Sequence, residues 1–162
     1  MRKMSRALVM LLLTLAAPSV ARAQAAHADF SGSWALDPAQ SDGGQFVPTK
    51  MTQKVTQTAT QMLVDRATTN QMGETSASLK YALDGSTSVN EITMGPASAK
   101  VSTVVTWEGD SPVFSSSFNV QGTDITSKDR WTLSDGGKKL TVNRTVNIGG
   151  EDRSSKLVLI KQ

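Results

Sequence analysis

The sequence predicts an all-β protein: an antiparallel up-and-down β-barrel of eight to ten strands, preceded by a cleavable export signal. Three observations carry this expectation. Beyond the leader, no window of a dozen residues repeats apolar side chains at helical spacing. Serine and threonine dominate instead, with 17 of each after Ala23. Their hydroxyls compete with a helical backbone for hydrogen bonds, and the branched Cβ of threonine suits a pleated surface. Finally, apolar and polar residues alternate in short runs, and turn residues divide the runs at near-constant intervals.

The leader comes first. Arg2, Lys3 and Arg6 form a basic start, Ala7 to Ala17 an apolar run, and Ala21-Arg22-Ala23 a small-x-small cleavage site after Pro18. The apolar run is shorter than the roughly 20 residues that a membrane-spanning helix needs. Residues 1–23 therefore read as a signal peptide, with no membrane span after cleavage, and the expected location is a bacterial periplasm or the exterior. The leader holds Arg2, Lys3, Arg6 and Arg22 and no acidic residue, so Gln24 to Gln162 carries 13 basic against 14 acidic groups. The basic balance of the whole chain belongs to the export signal, and a nucleic-acid partner is excluded by charge. Cysteine is absent, so neither a disulfide framework nor a lipid-anchored cysteine is available. Residues 24–29 are expected to be flexible and 30–162 to form one domain.

The elements follow in order. The first strand covers about 31–37. Pro38, Ser41, Asp42, Gly43, Gly44 and Pro48 then mark a long loop to Lys50, either a lid at a barrel mouth or a plain surface crossover. Nine further strands run at about 51–58, 61–69, 75–83, 87–93, 98–107, 113–120, 124–133, 139–148 and 152–161. Asp84-Gly85, Gly95-Pro96, Glu108-Gly109-Asp110, Gln121-Gly122, Ser134-Asp135-Gly136-Gly137 and Gly149-Gly150 supply turns between them. Leu140, Val142, Arg144, Val146 and Ile148 share one face of their strand. Ile125, Asp129, Trp131 and Leu133 share a face of the strand before it. Some ten such strands cannot remain one flat sheet without exposing an apolar face, so they must close or split into two layers. Closure removes the edges.

Two segments carry a family resemblance. The opening Phe30-Ser31-Gly32-Ser33-Trp34-Ala35-Leu36-Asp37-Pro38 and the late stretch Asp129-Arg130-Trp131-Thr132-Leu133-Ser134-Asp135-Gly136-Gly137-Lys138-Lys139-Leu140 resemble the lipocalin-like, or calycin, barrels, and among them small secreted bacterial proteins of unassigned function. The resemblance implies that Gly32 and Trp34 belong to a barrel-closing first strand, with Trp34 as the plug. It also implies that a late arginine, Arg144 first and Arg130 or Arg153 otherwise, packs across the Trp34 ring. The chain lacks the cysteine pair and the helix that follows the barrel in typical lipocalins, so a ten-stranded relative of the fatty-acid-binding type also fits.

Catalytic chemistry has little to stand on. His27 is the only histidine and precedes the first strand, so tetrahedral metal sites of the usual kind cannot be assembled. No Gly-x-Ser-x-Gly elbow occurs, and no two carboxylates are placed together by spacing. The expectation is no enzyme activity, no cofactor and no metal. The chain reads as a secreted binder of a small apolar or amphipathic ligand held inside the barrel. Tyr81, Trp107, Phe114, Phe118 and Trp131 are the candidate lining, with Arg130 or Arg144 as a charged end. An envelope-associated structural or protein-interaction module with a filled barrel is the alternative, and a carboxylate-based barrel enzyme the third reading. Oligomeric state has no signature in the sequence.

Overall fold

A computed structural model describes residues 27–162 apart from 45–46, 71–72 and 95–96. The expected signal peptide, residues 1–23, and residues 24–26 lie outside the described residues. Ten strands are present: β1 (Gly32–Leu36), β2 (Lys50–Gln57), β3 (Gln61–Asn70), β4 (Gly73–Ala82), β5 (Thr87–Met94), β6 (Ala97–Glu108), β7 (Ser111–Val120), β8 (Thr123–Ser134), β9 (Lys139–Ile148) and β10 (Glu151–Lys161). Each falls where the alternation placed it, to within a few residues at each end. They form one antiparallel sheet in the order β4-β3-β2-β1-β10-β9-β8-β7-β6-β5. β10 returns to β1, with Trp34 opposite Lys161 and Leu36 opposite Leu159.

The sheet curls into a nearly closed barrel whose last seam joins β4 to β5. Among the described residues no backbone ladder crosses that seam. Side chains of β5 bridge it instead. The Asn90 amide donates to the Lys80 carbonyl at 3.0 Å and accepts from the Lys80 N–H at 2.8 Å, and Ser88 Oγ accepts from the Ala82 N–H at 2.8 Å. The expected edge-free cylinder is thus closed by backbone on nine sides and by side chains on the tenth. Asn90→Ala leaves both Lys80 backbone groups without these partners and is expected to cost about 1–3 kcal/mol, read as a lower urea midpoint. An unchanged midpoint would remove the bridging role.

The two ends differ. The end bearing the β2–β3, β4–β5, β6–β7 and β8–β9 turns is solid. Phe30, Trp34, Met62, Val64, Leu83, Val105, Trp131, Leu140 and Leu159 pack there, all nearly inaccessible to solvent. Trp34 is 1% exposed, and its indole N–H donates to the Phe30 carbonyl at 3.0 Å. Gln57 ties the segment before β1 to β2, accepting from the Phe30 N–H and donating to the Ala28 carbonyl. Gly32 has φ +140°, a backbone region that L side chains rarely enter.

At the other end β1 is too short to cover β10. The loop after β1 takes its place: Asp37 and Asp42 bond the backbone of Val158 and Lys156, and Ser41 Oγ accepts from the Val158 N–H. The loop is therefore stitched onto the wall. Gly43 (φ +136°) makes this approach possible, since a Cβ there would sit 2.4 Å from the Ser155 Cβ and 3.0 Å from its Cα.

Candidate functional site

Between the packed end and the loop end the barrel interior is hollow. The cavity measures about 220 Å³. One part of its wall is apolar and aromatic: Leu79, Tyr81, Ile92, Phe114, Phe118 and Trp131. Tyr81 meets Phe114 edge to face at 4.9 Å between centroids, and Phe114 tilts against Trp131 at 4.8 Å. Polar groups line it too: Arg66, Asp129 and Arg144, with Asn90, Thr103, Ser116 and Ser127.

Strand register sets this arrangement. On adjacent strands Phe114, Asp129 and Arg144 stand side by side. The Arg144 guanidinium grips the Asp129 carboxylate with two parallel hydrogen bonds, the Nε one at 2.8 Å. This bidentate geometry is the strong form of an arginine–carboxylate contact. The Asp129 charge raises the Arg144 pKa further above its ordinary value. Elsewhere in the wall, Gln53 and Arg66 are direct partners on β2 and β3. Arg66 Nε donates to Gln53 Oε1 at 3.3 Å. Burial, followed by repulsion from Arg144, holds the Arg66 pKa below its ordinary value. Burial also pushes the Tyr81 phenol up, which keeps its hydroxyl neutral and able to donate.

Four of the expected lining residues, Tyr81, Phe114, Phe118 and Trp131, come together here. Two do not. Trp107 lies on the inward face but at the solid end of β6, where its ring stacks on His27 at 3.8 Å, 2° from parallel. Arg130 is the immediate neighbour of inward-facing Trp131, so strand alternation turns it outward, where it pairs with Glu108 at 3.5 Å. Arg144 does not cover Trp34. The cation over that ring is Lys161, with Nζ 5.3 Å from the centroid, because register sets Lys161 opposite Trp34 and Asp129 opposite Arg144. Arg144 is thus a cavity residue. Arg66 was missed, although Met62, Val64 and Arg66 occupy alternate positions of one strand and the first two are fully buried. That period-two pattern was the available signal.

A wider hollow of about 550 Å³ lies outside the barrel, over the exposed side chains Thr52, Lys54, Asp65, Ala67, Ser76 and Ser78. Small residues leave the sheet surface bare there, and Gln53 and Arg66 also reach this hollow. Among the described residues no three of His, Cys, Asp and Glu are grouped to hold a metal ion, and no helix is long and apolar enough to cross a membrane.

Comparison with solved structures decides the architecture. The chain superposes on a zebrafish ileal bile acid-binding protein, crystallised with cholic acid, at a TM-score of 0.53 and 14% identity, over 82% of this chain and 98% of that one. The chain has the calycin barrel fold. Neither a protein-family model nor a curated protein sequence matches it. The likeness rests on shape.

Proposed function

We propose that the protein is an exported, non-enzymatic carrier that encloses one small amphipathic molecule inside its barrel. The observation that carries this reading is the interior cavity, where aromatic side chains stand beside a charged cluster. Ligand sites are characteristically apolar with a few placed polar groups. Burial of the apolar part drives binding, and the polar cluster fixes which end of the ligand faces it. The zebrafish neighbour, which was crystallised with cholic acid, supports an enclosing role for the shape. The leader-like sequence of residues 1–23 supports export to a periplasm or beyond.

Native mass spectrometry of the protein taken from the exterior fraction of its own cells tests both parts. The expected species is the 139-residue product beginning at Gln24, carrying a small molecule in 1:1 ratio that activation in the gas phase releases. An intact leader would overturn the export reading. A chain without any adduct, from cells in several growth states, would overturn enclosure.

A further inference from the structure

The polar cluster is unbalanced, and the imbalance names the ligand's charge. The cavity lining holds two guanidiniums, Arg66 and Arg144, and a single carboxylate, Asp129. Asp129 is fully engaged by Arg144 through both of its oxygens. Among the described residues no carboxylate lies within ion-pair distance of Arg66, whose protein hydrogen bond goes to the neutral Gln53 amide. A half-buried guanidinium beside a carboxylate already held by another arginine is under-compensated in the empty protein.

Nearby donors point the same way. Gln53 is 3% exposed and Trp131 2%. The Gln53 Nε2 and the Trp131 indole N–H are both buried without a hydrogen-bond partner. Gln53 touches Arg66 and Trp131 lines the cavity. The unpartnered buried side-chain atoms among the described residues are all N–H donors, the third being Trp107 at the solid end. A buried donor left unpaired costs roughly 1–3 kcal/mol, so a ligand presenting acceptors has the most to gain here. Volume sets its size. An apolar cavity of about 150 Å³ holds benzene, so on that scale the interior suits on the order of nine non-hydrogen atoms. The aromatic wall of Tyr81, Phe114 and Trp131 favours a ring, through offset and edge contacts.

Resting on the enclosure reading, we infer that the barrel selects a compact aromatic carboxylate, with its anionic end on Arg66 and the Trp131 indole N–H and its ring against Phe114. A planar two-oxygen anion matches the guanidinium fork, which an alcohol or amide does not. The assignment separates this barrel from steroid- or long-chain-sized ligands, which exceed the hollow.

Calorimetric titration of the leader-free protein with phenylacetate, with its neutral isostere phenylacetamide, and with palmitate and cholate tests it. Phenylacetate is expected to bind at least about tenfold more tightly than phenylacetamide, the value of one charged hydrogen bond. Arg66→Met is expected to erase that preference while raising the melting temperature of the empty barrel, because it removes an under-compensated, half-buried charge. Arg66→Lys should keep part of the preference. Equal binding of acid and amide, or a preference that survives Arg66→Met, overturns the anionic assignment and leaves enclosure standing. Tighter binding of palmitate or cholate than of phenylacetate overturns the size assignment. No binding of any of the four overturns both this inference and the enclosure beneath it.

Discussion

Trp34→Ala is expected to lower the free energy of unfolding by about 3–5 kcal/mol, the range for truncating a fully buried large aromatic. The indole is 1% exposed and lies at the solid end of the barrel among Phe30, Met62 and Leu159. Three losses add up there. The ring's apolar area returns to water on unfolding no longer, so its transfer contribution vanishes. A void opens between strands that are fixed by ladders on both sides, so it collapses little. The Phe30 carbonyl also loses its indole donor, which loosens the segment before β1. Equilibrium urea unfolding followed by far-ultraviolet circular dichroism reads the effect. A loss below about 1 kcal/mol would show that other side chains, not this ring, close the end.

Asp129→Asn is expected to cost a similar amount, about 3–5 kcal/mol, for a different reason. The carboxylate is the single negative group in the cavity lining, and its side chain is 13% exposed. Without it Arg144 and Arg66 face one interior as two uncompensated cations. Removing a whole ion pair is usually far milder than removing half of one, so Asp129→Asn combined with Arg144→Met should recover most of the loss. Chemical denaturation of the two variants beside the parent checks this. Equal destabilisation of the single and double variants would show that the loss comes from packing and not from charge.

The ten strands were legible because alternation in this chain is seldom interrupted. Leu140, Val142 and Arg144, or Ile125, Asp129 and Trp131, declare an inward face without any knowledge of neighbours. Turn residues mark the strand ends just as plainly, as at Gln121-Gly122 and Gly149-Gly150. The cavity was half legible for the same reason: four aromatic lining residues lie on inward faces. Its polar half was not, because charge pairing depends on register between strands. Nothing local says that Asp129 stands opposite Arg144, or that Lys161, at the far end of the chain, stands over Trp34. Trp107 shows the complementary limit. Face follows from alternation, but height along the barrel axis follows from how every strand is staggered, and that set Trp107 beside His27 and away from the cavity. Arg66 shares its face with Met62 and Val64, yet nothing local says that a charged residue in that rhythm meets a cavity.

The Asn90 and Ser88 stitches between β4 and β5 give the barrel a built-in line of weakness. Parting any other pair of neighbouring strands breaks a run of peptide–peptide bonds together. Here the bonds come from two side chains alone, buried Asn90 and its neighbour Ser88. The backbone amides of β4 and β5 are therefore expected to exchange with solvent sooner than those of the other strands, which hydrogen–deuterium exchange reads.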